Sequence, residues 1–228
     1  MVRNCRNRSS KRYCPGVCQM EMVVRLAGES DFPRIFEIEK RSYPPQLQAR
    51  HEVLRYRHRV FGLWVAELDG VVAGFNTCVP IHLNWPRPDL EELIRNRKPN
   101  YLPWFQAYER TAVKENAFNC QLNSSSAVET AYQGRGVGTA LVRNSLAVAK
   151  AHGLPYRVSA LRCQFASYHL KTGGTIEKYI EEVTAGTVHD RFLSLYRKLG
   201  FVFAAPLPDY EPDRGSMNYC IFTYKQIA

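Results

Sequence analysis

The sequence predicts an α/β fold, and three observations carry that reading. Short apolar, β-branched runs alternate along the chain with stretches of helical periodicity. Two of the runs, Leu63–Leu68 and Val71–Val79, meet at Asp69-Gly70, a strong hairpin signal that places an antiparallel meander near the middle. Finally, the alternating glycines of Gln133-Gly134-Arg135-Gly136-Val137-Gly138-Thr139-Ala140 open a long apolar helix.

The elements follow in order. Val23–Ala27 reads as a first strand, and Ser30 or Asp31 caps a helix over Asp31–Lys40 whose buried stripe is Phe32, Ile35, Phe36 and Ile38. Pro44-Pro45 breaks the chain, and a second helix is expected over Gln46–Val60, before the hairpin. His82–Asn119 is too long for a hairpin loop; it carries Trp85, Trp104, Phe105 and several prolines around a helical segment Asp89–Arg95. An insertion of that length either works as a lid or binding loop or packs over the sheet. Phe118–Val128 should be the central strand and Gly134–His152 a helix, ended at Gly153 with Pro155 beyond. Tyr156–Cys163 is the next strand, and residues 164–190 form a second insertion with a helix around Ile176–Val183. Strands over Phe201–Ala204 and Tyr219–Lys225 complete the order.

Composition bounds the possibilities. With 228 residues, 45% of them hydrophobic, the chain can bury one substantial core, so one domain over residues 20–228 is expected. No apolar run approaches the ~20 residues of a membrane helix. The seven cysteines show no paired spacing, which reads as a reducing compartment such as the cytoplasm. Cys14-Pro15-Gly16-Val17-Cys18 lacks the further Cys or His ligands of a structural zinc site, so no metal is expected. Of the net charge of +10, five charges (Arg3, Arg6, Arg8, Lys11 and Arg12) precede the first acid, Glu21. Residues 1–19 therefore read as a disordered basic leader, with organelle targeting the alternative. The remaining basic residues are scattered rather than striped, so no nucleic-acid partner is expected.

The glycine run carries the chemistry. A helix N-terminus offers unpaired N–H donors and partial positive charge, and residues without Cβ let a phosphate approach them closely. A nucleotide P-loop needs Lys where Thr139 stands, and a dinucleotide fingerprint needs Gly at that same place. The pattern that fits is Q-x-x-G-x-G at Gln133, Gly136 and Gly138, which resembles the coenzyme A pyrophosphate loop of the GCN5-related N-acetyltransferase (GNAT) superfamily. Leu195-Tyr196-Arg197-Lys198-Leu199-Gly200-Phe201 is similar to the other landmark of that family, a Tyr-bearing helix ending in Leu-Gly-Phe. Together the resemblance covers most of residues 22–226. Ser42-Tyr43-Pro44-Pro45 leading into Leu54-Arg55-Tyr56-Arg57 further resembles the subset that includes arylalkylamine acetyltransferases.

The resemblance implies a mixed, mostly antiparallel central sheet flanked by helices, and transfer of an acetyl group from acetyl-CoA to a primary amine by direct attack. It implies coenzyme contacts from Gln133, Gly134, Arg135, Gly136, Val137, Gly138, Thr139 and Ala140, and main-chain contacts from Val128 and Thr130 on a strand splayed from its neighbour. Tyr196 matches the family's general acid, and a phenol, with its pKa of about 10, is protonated at neutral pH and suits that role. The alternative for Tyr196 is an ordinary amphipathic-helix residue closing the core.

The base is not legible. The family-matched positions are Ser124 and Leu122, neither of which can serve. Glu129 follows the strand on the wrong face, His189 stands where the family often carries Asn, and a water relay through Asn123, Ser124 or Ser126 is an alternative. The missing base keeps open a catalytically silent member that binds acyl-CoA as a sensor or scaffold. The expected partner is a small-molecule or peptide amine, and a homodimer is left open.

Overall fold

The computed structural model describes residues 21–83 and 118–227. The basic leader and most of the first expected insertion, including Asp89–Arg95, lie outside the described residues. Among the described residues the strands are β1 (Met22–Leu26), β2 (Leu63–Leu68), β3 (Val71–Ile81), β4 (Cys120–Val128), β5 (Tyr156–Arg162), β6 (Val202–Leu207) and β7 (Cys220–Gln226). The helices are α1 (Phe32–Ser42), α2 (His51–Phe61), α3 (Val137–Ala151), α4 (Phe165–Thr172), α5 (Ile176–Ala185) and α6 (Arg191–Lys198).

The seven strands form one sheet in the order β1-β2-β3-β4-β5-β7-β6, antiparallel throughout except where β4 meets β5. This is the mixed, mostly antiparallel sheet flanked by helices that the resemblance implies. Asp69 and Gly70 both take positive φ, 50° and 80°, as a tight hairpin between right-twisted strands requires.

Residue alternation splits the core between two faces. On β2, Val65 joins Phe32, Ile35, Ile38 and Leu54 under α1 and α2, while Ala66 and Leu68 join Val137 and Leu141 under α3. Beyond β4, helices α4 to α6 close a third cluster around Phe165, Tyr179, Leu193, Tyr196 and Ile221. Cys78, Cys120, Cys163 and Cys220 are buried, and no helix among the described residues is long and apolar enough to cross a membrane.

Several boundaries depart from expectation. Asp31 stands at the N-cap of α1 but its carboxylate makes no bond to that helix; it accepts from Gly28 N, closing the short 3-10 turn Glu29–Asp31, and from Arg25 Nη1, both at 2.7 Å. Helix α2 begins at His51 rather than Gln46, because Pro45–Leu47 forms a single 3-10 turn and Arg50 is extended. Helix α3 begins at Val137, since Gly134 and Gly136 take left-handed φ values of 77° and 86° and keep the loop out of the helix. Helix α4 lies within the 164–190 insertion where no helix was expected.

Candidate active site in the gap between two parallel strands

The sheet opens at β4 and β5. The two strands pair only at Cys120 with Tyr156, Gln121 with Arg157 and Leu122 with Val158, and then part. A cause lies in β4 itself. Thr77 opposes Ser125 while the next β3 residue, Cys78, opposes Asn123, so Ser124 is an extra residue, a bulge that bends its strand. Past the bulge lies a cleft of about 850 Å³, bounded by Asn123–Val128, the glycine loop, Ala160–Arg162, Phe192, Leu195 and Tyr196 of α6, and Tyr210 and Glu211.

At one end stands the N-terminus of α3. Gly136 is its N-cap, and no side chain bonds the free N–H groups of its first turn, which also holds no acid. A 15-residue helix with an uncapped N-terminus offers donors and partial positive charge to an anion. Val128, Thr130, Gln133, Gly134, Gly136, Val137, Gly138 and Thr139 all line the cleft. Arg135 and Ala140 are not on its wall; the Arg135 guanidinium lies 5.7 Å from the centre of the Tyr132 ring instead.

The free edge of β4 is partly dressed. The Tyr43 hydroxyl donates to Ser126 C=O at 2.8 Å and accepts from Ser126 N–H at 3.2 Å. Gln133 Nε2 donates to Val128 C=O at 2.9 Å, which fixes the approach to the glycine loop. Glu129 N–H reaches back to Ala73 on β3, so strand alternation turns the Val128 N–H toward the cleft, where it can meet an extended ligand.

Tyr196 is buried and lines the cleft, with its ring 4.7 Å from that of Phe201. Its hydroxyl accepts from Arg157 Nη2 at 3.5 Å, and the same nitrogen donates to Asn123 Oδ1 at 3.2 Å. Arg157 has no exposed surface. Burial opposes its charge, yet Tyr196 and Cys78 hold its pKa above the usual arginine value. It therefore ties Tyr196 on α6 to the last paired segment of β4 and β5.

The residues weighed as bases sort clearly. Asn123 Oδ1 is occupied by Arg157 and by Asn76. Glu129 is clamped by Arg41 and Arg34, and the Arg41 hydrogen bond first among these contacts holds its carboxyl below the usual range. His189 is exposed and off the cleft wall. Its neighbour Asp190 is fully buried as the N-cap of α6, accepting from Phe192 N, Leu193 N and Gln164 N at 2.7–2.8 Å and from the Tyr179 hydroxyl. Glu211 was not singled out from the sequence. Its side chain, 20% exposed, lies on the cleft wall 3.6 Å from Arg162, and burial pushes its carboxyl above the usual range. The signal that could have found it is the acidic turn Asp209-Tyr210-Glu211-Pro212-Asp213 before the last strand. Among the described residues no cluster of three or more His, Cys, Asp or Glu side chains is arranged to hold a metal ion.

Comparison with known proteins agrees with this geometry. A model described as the acetyltransferase (GNAT) family matches residues 32–170. The fold is similar to the GphF GNAT-like decarboxylase in complex with isobutyryl-CoA, at 18% identity and a TM-score of 0.67 over 90% of this chain and all of that one. It is similar to the loading GNATL domain of CurA from Lyngbya majuscula, at 18% identity and 0.70 over 91% and 98%. The ribosomal-protein-S18-alanine N-acetyltransferase from Escherichia coli gives 14% identity and 0.54 over 91% and 95%. No curated protein matches the chain.

Proposed function

The chain belongs to the acetyltransferase (GNAT) family, and on that premise we propose that it is an N-acetyltransferase moving the acetyl group of acetyl-CoA to a primary amine by direct attack. The observation that carries the reading is the junction of an uncapped helix N-terminus with a strand gap that ends at Tyr196. The residues fit the coenzyme. The first-turn N–H groups of Val137, Gly138 and Thr139 would hold its pyrophosphate, and the Val128 N–H would pair with its pantetheine arm. Bound acetyl-CoA supplies an activated acyl group on a thioester sulfur.

The chain's own residues then have distinct tasks. The two walls hold the reacting groups together, which removes much of the entropy barrier. Tyr196, oriented by Arg157 and Phe201, gives its proton to the departing thiolate as the general acid. Screening the purified chain for thiol release from acetyl-CoA across polyamines, arylalkylamines, amino acids and peptides tests the reading. Amine-dependent release with an acetylated product is expected; failure with every class would reject it.

A second reading takes support from the two neighbours with TM-scores of 0.67 and 0.70, one of them titled a GNAT-like decarboxylase. The cleft wall also carries the guanidinium groups of Arg57 and Arg162, which could hold the carboxylate of a carboxylated acyl thioester. Release of carbon dioxide from malonyl-CoA without any amine would favour that activity over acetylation.

A further inference from the structure

Resting on the reading that the chain acetylates an amine, we propose that Glu211 is the general base that takes the proton of the attacking nitrogen. Among the described residues lining the cleft it is the one carboxylate, and no histidine joins it there. The other nearby acids are committed elsewhere. Glu129 is held by two arginines, Asp190 caps α6, and Glu39 lies off the cleft wall, where its carboxylate accepts from Ala49 N and the Ser125 hydroxyl.

Glu211 is positioned without being consumed. Its contact with Arg162 is 3.6 Å, longer than a hydrogen bond, so the pairing steers the carboxylate while leaving it able to accept from a substrate N–H. Arg162 in turn stacks 4.7 Å over the Tyr43 ring, whose hydroxyl holds the β4 edge at Ser126. Arg162, the last residue of β5, thus stands past the point where β4 and β5 part and links the Tyr43-held edge of β4 to Glu211. Arg162, Asp213 and Cys220 are the ionisable groups that act on this carboxyl or feel it; burial and Asp213 push its pKa up, and Arg162 pulls it back. A carboxylate raised toward neutrality is the stronger base.

The step balances. An ammonium acceptor sheds two protons in becoming an amide. Glu211 takes one and returns it to solvent. The nitrogen lone pair forms the C–N bond to the acetyl carbon, the C–S bond breaks toward sulfur, and Tyr196 protonates the thiolate. The second nitrogen proton leaves as Tyr196 is restored, through solvent.

The test compares wild type, Glu211→Gln and Glu211→Asp by kcat/KM across pH, with an alkylamine and with trifluoroethylamine, an amine mostly neutral at the assay pH. Acetyl-CoA affinity by calorimetry and melting temperature are read in parallel. Glu211→Gln is expected to lose roughly 10²–10⁴-fold with the alkylamine, the range for general base catalysis, and much less with trifluoroethylamine, at unchanged coenzyme affinity. Glu211→Asp, which keeps the carboxylate, should recover part of the rate and its pH dependence. Equal loss with both amines, or no loss in an active enzyme, overturns the proposal alone. A wild type that binds acetyl-CoA and turns over no amine overturns the proposed function and the base together.

Discussion

Tyr196 suits the proposed role of general acid because it is buried and yet lines the cleft. A core tyrosine would bury its hydroxyl against a committed partner, but the Arg157 contact here is long, at 3.5 Å, and Arg157 divides its donors among Asn123, Ser159 and Tyr196. Tyr196→Phe keeps the ring on Phe201 and leaves Arg157 with its other partners. Turnover should fall by roughly 10²–10⁴-fold, the span for a lost general acid, while the melting temperature and acetyl-CoA affinity barely change. A large drop in melting temperature with proportionate loss of activity would mark the residue as packing instead. The place of Tyr196 on the helix that lines the cleft was legible in the sequence because the Tyr-Arg-Lys-Leu-Gly-Phe run is local. Glu211 was not legible, because only the fold of the β6–β7 connection brings it to the cleft wall beside Arg162 of β5.

At the scale of elements, the parts with strong local signals were readable. The Asp69-Gly70 hairpin, the Gly200 stop after α6 and the glycine loop each rest on a positive φ that few residues tolerate. Helix α4 stops at Gly173, whose φ is 67°, but its start had no signal, since Gln164 makes no side-chain cap and the helix is held by Phe165 and Tyr168 packing onto Tyr179. The gap between β4 and β5 depends on the Ser124 bulge, which a run of three serines does not announce. Element docking also sets a pH dependence. Glu129 joins the end of β4 to Arg34 and Arg41 of α1, and its folded pKa lies below the unfolded value. A depressed carboxyl adds stability above the unfolded pKa, near 4.3, and loses it as pH falls through the folded pKa. Thermal melts between about pH 3 and 7 should therefore fall more steeply on the acid side for wild type than for Glu129→Gln. Parallel curves would show that the ion pair contributes nothing.

Over the whole molecule, the charge of +10 favours encounter with a polyanionic coenzyme. Stopped-flow association of acetyl-CoA should slow as salt rises from roughly 0.01 to 0.15 M, where the screening length shrinks from about 30 to 8 Å. A salt-independent rate would confine the useful charge to the helix terminus. One sheet, opened at a single seam and flanked by α3 and α6, unites the family, the cleft and the chemistry.

That seam is tested most directly by calorimetric titration of acetyl-CoA into wild type, Gly136→Val and Gly153→Val. Both glycines have left-handed φ, +86° and +67°, so both variants carry comparable backbone strain, but Gly136 opens α3 at the cleft and Gly153 follows its far end. Gly136→Val should weaken binding by at least ~1–3 kcal/mol, the scale of lost hydrogen bonds to a charged group, while Gly153→Val binds as wild type does. Equal affinity in Gly136→Val and wild type, or equal losses in the two variants, would contradict the assignment of this cleft to the coenzyme.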